Sequence, residues 1–366
     1  MDNMIIQRRL PHYRVPFFNQ LKVKTNFTLF VSENPKSISN LEFPVKRIRG
    51  FFPFKKRKSL GVLFFSWVLF RYKPKQVVVE FDLNILNIWA LLVLKKIFNY
   101  QLSLWTHGYS SKTHSFDSTN NLIDRLRKFW YIRADKIFVY ESKALSLLKS
   151  YVSPKKIFIL NNTVDIKHFD LFRKKFDEME SNDLKNQLGI NKKFIITFLG
   201  DLSARKNPVD LLSIFKDIQK EIQNIALIYI GDGIEKVKVK SIISKQSIKN
   251  VYLLGAIEEA ELLSKYLFIS NLIALPGHVG LVANTAITLK IPIFTIKLGE
   301  YVKSHAPEFN YLTHKQNTFI AEDKDSFKQS IIDYLNGELK FDPSSQYLDL
   351  SLEKMVINFE KGLNNP

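Results

Sequence analysis

Short apolar runs alternate with longer helix-period segments from Met4 onward, and the pattern starts afresh at Phe194-Ile195-Ile196-Thr197-Phe198-Leu199-Gly200. In the first half, Met4 to Ile6, Phe27 to Val31, Val77 to Glu80, Leu102 to Trp105, Ile137 to Tyr140 and Ile157 to Leu160 read as strands. Between them, helix-like segments lie near Val15 to Lys22, Leu60 to Arg71, Ile85 to Phe98, Leu122 to Arg133 and Lys143 to Tyr151. Such alternation argues for an α/β fold, a parallel sheet covered by helices on both faces. At 366 residues, 46% of them apolar, the chain is long enough for two domains of this kind. The charged stretch Arg173 to Lys193, with Gly189 near its end, reads as the linker. The expected organisation is a first domain over 1–172, a linker over 173–193, a second domain over 194–345 and a final helix within 346–366.

Ligands of doubly wound sheets bind beyond the carboxyl ends of the strands, so the residues that follow each strand are the ones to inspect. After Leu272 to Leu275 comes Pro276-Gly277-His278-Val279-Gly280-Leu281, then a small-residue helix pattern to Leu289. Glycines 277 and 280 permit close backbone approach, and the amides of Val279, Gly280, Leu281 and Val282 at a helix start suit a diphosphate. An ordinary βα turn has the same spacing. After Gly200, the adjacent cations Arg205 and Lys206 could neutralise a diphosphate leaving group, or form a solvated turn. Gly231-Asp232-Gly233 lacks the third spaced glycine of a dinucleotide fingerprint. In the first half, His12-Tyr13-Arg14 follows the first strand and His107-Gly108 ends another. Asp323-Lys324-Asp325 precedes a helix pattern and reads as an acidic helix start.

The balance of 54 Lys and Arg against 35 Asp and Glu, a formal charge of +19, favours an anionic partner. The absence of cysteine excludes disulfides and thiolate metal sites and fits a reducing compartment. The start of the chain reads as lacking a signal peptide, and no apolar run reaches the roughly 20 residues of a spanning helix. From Lys46 to Lys58, KRIRGFFPFKKRK interleaves phenylalanines with cations and no acid, which suits the surface of an anionic bilayer. A solvated loop before a core helix is the plainer reading. No recognition motif accompanies the basic run, so nucleic acid is not expected as a partner.

Taken in order, Pro11 to Phe18, His107-Gly108, Asn161 to Asp165, the Gly200 to Pro208 loop and Pro276 to Leu281 with Ile291-Pro292-Ile293 resemble glycosyltransferase family 4, whose enzymes have the GT-B fold. The pattern resembles a branch with a proline-glycine-x-valine-glycine-leucine turn, of the bacterial surface-polysaccharide type. The resemblance implies two Rossmann-like domains facing a central cleft, the C-terminal helix crossing back onto the first. It implies retaining transfer of a hexose or deoxyhexose without a metal or other cofactor. Gly200, Arg205, Lys206, Gly277, Val279, Gly280, Leu281 and Thr285 would hold the donor, with Gly231, Asp232 and Leu254 near the nucleotide. His107 would face the sugar as the catalytic candidate, and His12, Tyr13 and Arg14 would meet the acceptor.

The sequence departs from the family pattern at three positions. Gly277 and Thr285 stand where most members have glutamates, and Asp201 stands where they have arginine. With the basic N-terminal surface, the expected acceptor is a lipid-linked glycan at the cytoplasmic face of the inner membrane, in capsule, O-antigen or exopolysaccharide synthesis. The lost glutamates and Asp201 support a second reading, a non-catalytic GT-B scaffold or glycan-binding protein of the same pathway.

Overall fold

The computed structural model describes residues 2–32, 40–51, 62–109, 121–177, 181–341 and 349–365. The chain divides into two compact units, Met1–Asp165 with Ser351–Pro366, and Ile166–Leu350.

The first unit contains strands β1 (Asn3–Gln7), β2 (Phe27–Val31), β3 (Val45–Arg47), β4 (Gly50–Phe51), β5 (Val62–Leu63), β6 (Gln76–Glu80), β7 (Gln101–Thr106), β8 (Lys136–Val139) and β9 (Ile157–Ile159). Its helices are α1 (Val15–Lys24), α2 (Phe65–Tyr72), α3 (Ala90–Phe98), α4 (Leu122–Arg133) and α5 (Ser142–Leu148). Seven strands form one parallel sheet in the order β3-β2-β1-β6-β7-β8-β9. Successive side chains of a strand point to opposite faces. Met4, Ile6, Val77 and Val79 accordingly enter one core, while Ile5 and Val78 enter the other. Burial on both faces is why these strands are written as unbroken apolar runs.

The helix expected from Leu60 begins only at Phe65. Val62–Leu63 instead pairs antiparallel with Gly50–Phe51, and the Asn87 side chain hydrogen-bonds both the amide and the carbonyl of Leu63. That strand depends on a partner 24 residues away, which local periodicity cannot reveal. The short edge strand β3 likewise has no apolar run of its own and exists by pairing with β2; its lysine and arginine suit an edge.

The second unit opens with α6 (Lys167–Asp177) and α7 (Ser181–Gln187), followed by β10 (Phe194–Leu199), α8 (Pro208–Glu221), β11 (Ile225–Ile230), α9 (Lys236–Lys245) and β12 (Val251–Gly255). It continues through α10 (Ala260–Phe268), β13 (Leu272–Leu275), α11 (Val282–Leu289), β14 (Ile293–Ile296), β15 (Thr318–Ala321) and α12 (Lys324–Asn336). Its six strands are all parallel in the order β12-β11-β10-β13-β14-β15. The stretch 173–193, expected as a linker, is largely helical where described. Phe176, Leu184 and Ile190 lie in one core with Ile195 and Ile228, while Lys175, Asp183 and Lys193 are exposed, so this stretch covers the sheet with an apolar side inward.

The last helix, α13 (Leu352–Asn364), belongs to the first unit. Ser351 caps it by accepting from the Lys354 amide, and Met355, Val356 and Phe359 are fully buried in the core that holds Phe17 and Phe18. Phe359 stacks on Phe138 at 4.6 Å between ring centroids. At Gly362 a Cβ would lie 2.2 Å from the Phe138 ring, so only glycine lets the helix seat this close.

In both sheets the strand order reverses beside the first strand, between β1 and β6 and between β10 and β13. Such switch points open a crevice at the carboxyl ends of the strands, where ligands of these sheets bind.

Candidate functional site

At the switch point of the second sheet, the loop after β10 and the turn after β13 meet. Gly200 has φ +134°, a conformation open mainly to glycine, and the Nζ of Lys206 comes within 3.0 Å of where a Cβ would stand. The missing side chain lets Lys206 fold over the end of its own strand. Lys206 is 6% exposed, and its ammonium lies 3.8 Å from the Asp201 carboxylate. Burial holds that ammonium below the usual lysine range, with Asp201 opposing and Arg205 adding to the shift. Arg205 is half exposed and reaches Asp201 at 3.4 Å. Burial works against the Asp201 charge, but Ser203, Lys206 and Arg205 together keep its carboxyl below the usual range.

The turn after β13 is built against this loop. His278 N–H donates to the Arg205 carbonyl at 2.9 Å, and a Cβ on Gly277 would lie 2.5 Å from the Arg205 carbonyl oxygen. Glycine at 277 is therefore required by backbone contact, and a glutamate there would displace the cation loop. Gly280 differs, because a Cβ there would meet nothing closer than Ala306 at 3.6 Å. The Val279 amide, expected to face a ligand, donates instead to Nδ1 of buried His305 at 3.2 Å. His305 Nε2 faces the Ile296 carbonyl at 3.1 Å, so this imidazole is neutral with its proton on Nε2. Its ring lies flat on Phe309, 3.9 Å between centroids.

The amides of Gly280, Leu281 and Val282 have no hydrogen-bond partner among the described residues, and Leu281 caps α11 without a side-chain bond. They form the open N-terminus of an eight-residue helix, where the helix dipole favours an anion. Thr285, buried in the next turn, belongs to the same helix. Beside them, His278 Nδ1 lies 2.7 Å from the Ser304 carbonyl, which leaves Nε2 as a lone pair on the Gly280 side. Burial takes the His278 pKa down to about 4, against the pull of Ser304 and helped by Arg205 and Lys206. His278 is thus a neutral acceptor in the physiological range. His278 is visible in the turn sequence, but nothing local in the sequence marks its role or that of His305, because both follow from contacts 26 residues apart.

Of the residues assigned to the nucleotide, Gly231 is fixed by the fold: with φ +139°, its Cβ would fall 2.0 Å from the Gly200 carbonyl oxygen. Asp232 is exposed, pairs with Lys236 at 2.6 Å and accepts from the Gly233 amide. Leu254 packs its side chain against the apolar core of the sheet. Asp323 caps α12 in a reciprocal capping box with Ser326, as an acidic helix start should.

In the first unit, His12, Tyr13 and Arg14 form one 3-10 turn after β1. His12 is exposed and Tyr13 half-buried, whereas Arg14 is buried. The Arg14 guanidinium hydrogen-bonds the Asn162 side-chain oxygen, meets the Met355 sulfur at 3.4 Å and lies over the Trp105 ring at 5.2 Å. It therefore ties β1 to the Asn162 turn and to α13. His107 stands exposed at the end of β7, 4.8 Å from the Tyr140 ring centroid. Gly108 has φ +81°, and a Cβ there would come within 2.9 Å of Ala144, which accounts for the glycine after the histidine. Glu80, which the sequence reading passed over, ends β6 at the switch point and accepts the Arg8 amide at 3.0 Å. Burial pushes its carboxyl above the usual range. Of the basic run Lys46 to Lys58, residues 52–58 lie outside the described residues.

Residues 180–348, most of the second unit, match the family model described as Glycosyl transferases group 1. An uncharacterized glycosyltransferase of Methanocaldococcus jannaschii is 25% identical over 231 residues, 61% of this chain and 52% of that protein. The chain thus spans about half the length of this curated relative. Among solved structures, Anabaena Alr3699/HepE in complex with UDP superposes with a TM-score of 0.66 at 12% identity, covering 99% of this chain and 95% of that one. The lipopolysaccharide outer core galactosyltransferase WaaB, in its apo form, gives 0.64 at 15% identity, covering 99% of each chain. The fold is that of the GT-B proteins, two Rossmann-like parallel-sheet units, and it is the second unit that resembles the group 1 glycosyl transferases.

Proposed function

We propose that this protein is a retaining glycosyltransferase that moves a hexose or deoxyhexose from a nucleotide-sugar to a lipid-linked glycan acceptor in bacterial surface-polysaccharide synthesis. The observation that carries the donor half is the convergence, at one switch point, of buried Lys206 with the unpartnered amides of Gly280, Leu281 and Val282. In the reaction, the bond from the anomeric carbon to the diphosphate oxygen breaks and an acceptor hydroxyl bonds that carbon, its proton passing to the departing diphosphate. Charge develops on the leaving diphosphate, where a cation and helix-end dipoles held in place beforehand stabilise it most. Neutral His278 offers an acceptor to a sugar hydroxyl beside that group.

Asp201, whose carboxylate faces both cations, favours the second reading, a non-catalytic glycan-binding or scaffold protein. Calorimetry and thermal shift against UDP-, GDP-, CMP- and dTDP-sugars test the proposal. One nucleotide should bind and raise the melting temperature, and Lys206→Met should weaken that binding by at least about tenfold, as loss of a charge-assisted contact does. A folded sample that binds none of them would favour the scaffold.

A further inference from the structure

The first unit carries an exposed apolar face that its own cores do not use. On α2, Phe65, Val68 and Leu69 are buried, yet on the opposite side Trp67 is 62% and Phe70 68% exposed. On α3, Leu91 is buried while Val93 and Ile97 are 63% and 66% exposed. Trp89, one turn before Val93, is also exposed and touches the Phe129 ring at 5.4 Å, which continues the face toward α4. Positions 89, 93 and 97 fall on one stripe of a helix, as do 67, 70 and 71. Single exposed apolar residues are ordinary, but two packed helices that turn tryptophan, phenylalanine and isoleucine outward together are not.

The charges that α2 and α3 themselves carry are all positive, and of these Lys95 is paired with Asp135 at 2.7 Å. Neither α2 nor α3 contains an acid; Arg71 lies beside Trp67, Lys96 beside Ile97, and Lys46 covers the Tyr72 ring at 4.4 Å. We infer that α2 and α3 form a docking face for an anionic lipid bilayer, with Trp67, Phe70, Val93 and Ile97 entering the interface and Arg71, Lys46 and Lys96 meeting the headgroups. Helices that lie in the interface combine such an apolar side with flanking cations, and aromatic rings settle at headgroup depth. Pairing with a second copy would set cations against cations across a twofold axis, whereas an anionic surface complements them. Among the described residues no helix is long and apolar enough to cross a membrane. This inference rests on and deepens the transferase proposal by giving the lipid-linked acceptor a surface, and it adds two folded helices to the contact expected of the basic run, of which Lys46 is part.

The test is partition of the full chain onto vesicles of phosphatidylcholine, with and without an equal share of phosphatidylglycerol. Two of the four tryptophans, Trp105 and Trp130, are buried, so a blue shift on binding reports Trp67 and Trp89. Binding should require phosphatidylglycerol and fall by at least about tenfold in Trp67→Ser/Phe70→Ser and in Val93→Ser/Ile97→Ser. Arg71→Glu/Lys96→Glu should abolish the preference for anionic vesicles. All three variants should keep the wild-type melting temperature, because these side chains are exposed. Failure of the wild type to bind anionic vesicles, or binding that these variants leave unchanged, overturns the inference. So does a dimer in solution that the serine variants dissociate while vesicles stay unbound. The donor-nucleotide thermal shift, measured on the same samples, keeps the two proposals apart: retained with no vesicle binding, it sinks the docking face and spares the transferase reading.

Discussion

Gly277 and Gly280 look equivalent in the turn sequence, and their surroundings separate them. Gly277→Ala drives a methyl group into the Arg205–Lys206 backbone, which cannot move aside as a side chain would, and should destabilise the protein by about 1–3 kcal/mol. Gly280→Ala meets only ordinary contacts, so urea unfolding should show a change under about 0.5 kcal/mol. If a diphosphate lies against the helix start, nucleotide affinity should nevertheless fall in Gly280→Ala; equal loss of stability in both variants would contradict this geometry. His278 gives a prediction in pH. Its folded pKa of about 4 lies below the ordinary 6.5, so the unfolded chain binds more protons and stability falls as pH drops from 6.5 toward 4. Between pH 7 and pH 5 this residue alone should cost about 2 kcal/mol. The difference between wild type and His278→Gln in denaturation midpoints at the two pH values isolates it.

At the scale of elements, the site is a loop and a turn held together by backbone bonds and one buried imidazole. His305 joins the Val279 amide to the Ile296 carbonyl, so it pins the start of α11 to the end of β14. His305→Leu strands a buried donor and a buried acceptor and should lower stability by about 2–4 kcal/mol. Hydrogen exchange at Val279 should quicken in that variant well before global unfolding; an unchanged rate would deny His305 this role. Elements whose apolar pattern is local were legible in the chain. β2 and α4 were placed to the residue, because their runs begin and end within a few positions of their own breakers. β3, β4 and β5 were not, since each exists by virtue of a neighbour distant in sequence.

For the molecule as a whole, the first unit is completed by residues from the far end of the chain. Ending the chain after Leu350 removes Met355, Val356 and Phe359 from a core built on Phe17, Phe18 and Trp105. That uncovers one face of its sheet and strands the Arg14 guanidinium beside an empty position. We expect such a truncation to lose the first unit's cooperative unfolding transition in calorimetry while the second unit's transition and its nucleotide binding survive. Loss of both transitions would mean that the second unit does not fold independently.

The sequence by itself determined the architecture, because strands buried on both faces and helices of period 3.6 leave a mark in every residue they contain. It also named the turns at the strand ends, since glycine, proline and paired cations are visible wherever they stand. What it left open was the direction of each group within those turns. That Val279 spends its amide on His305, that Gly277 answers to the backbone of Arg205, and that Asp201 faces Lys206 are contacts between segments 26 to 72 residues apart or between neighbours on a folded loop. The tertiary structure alone decided them, because a residue's type fixes what it can bond and only the folded chain fixes what stands within reach.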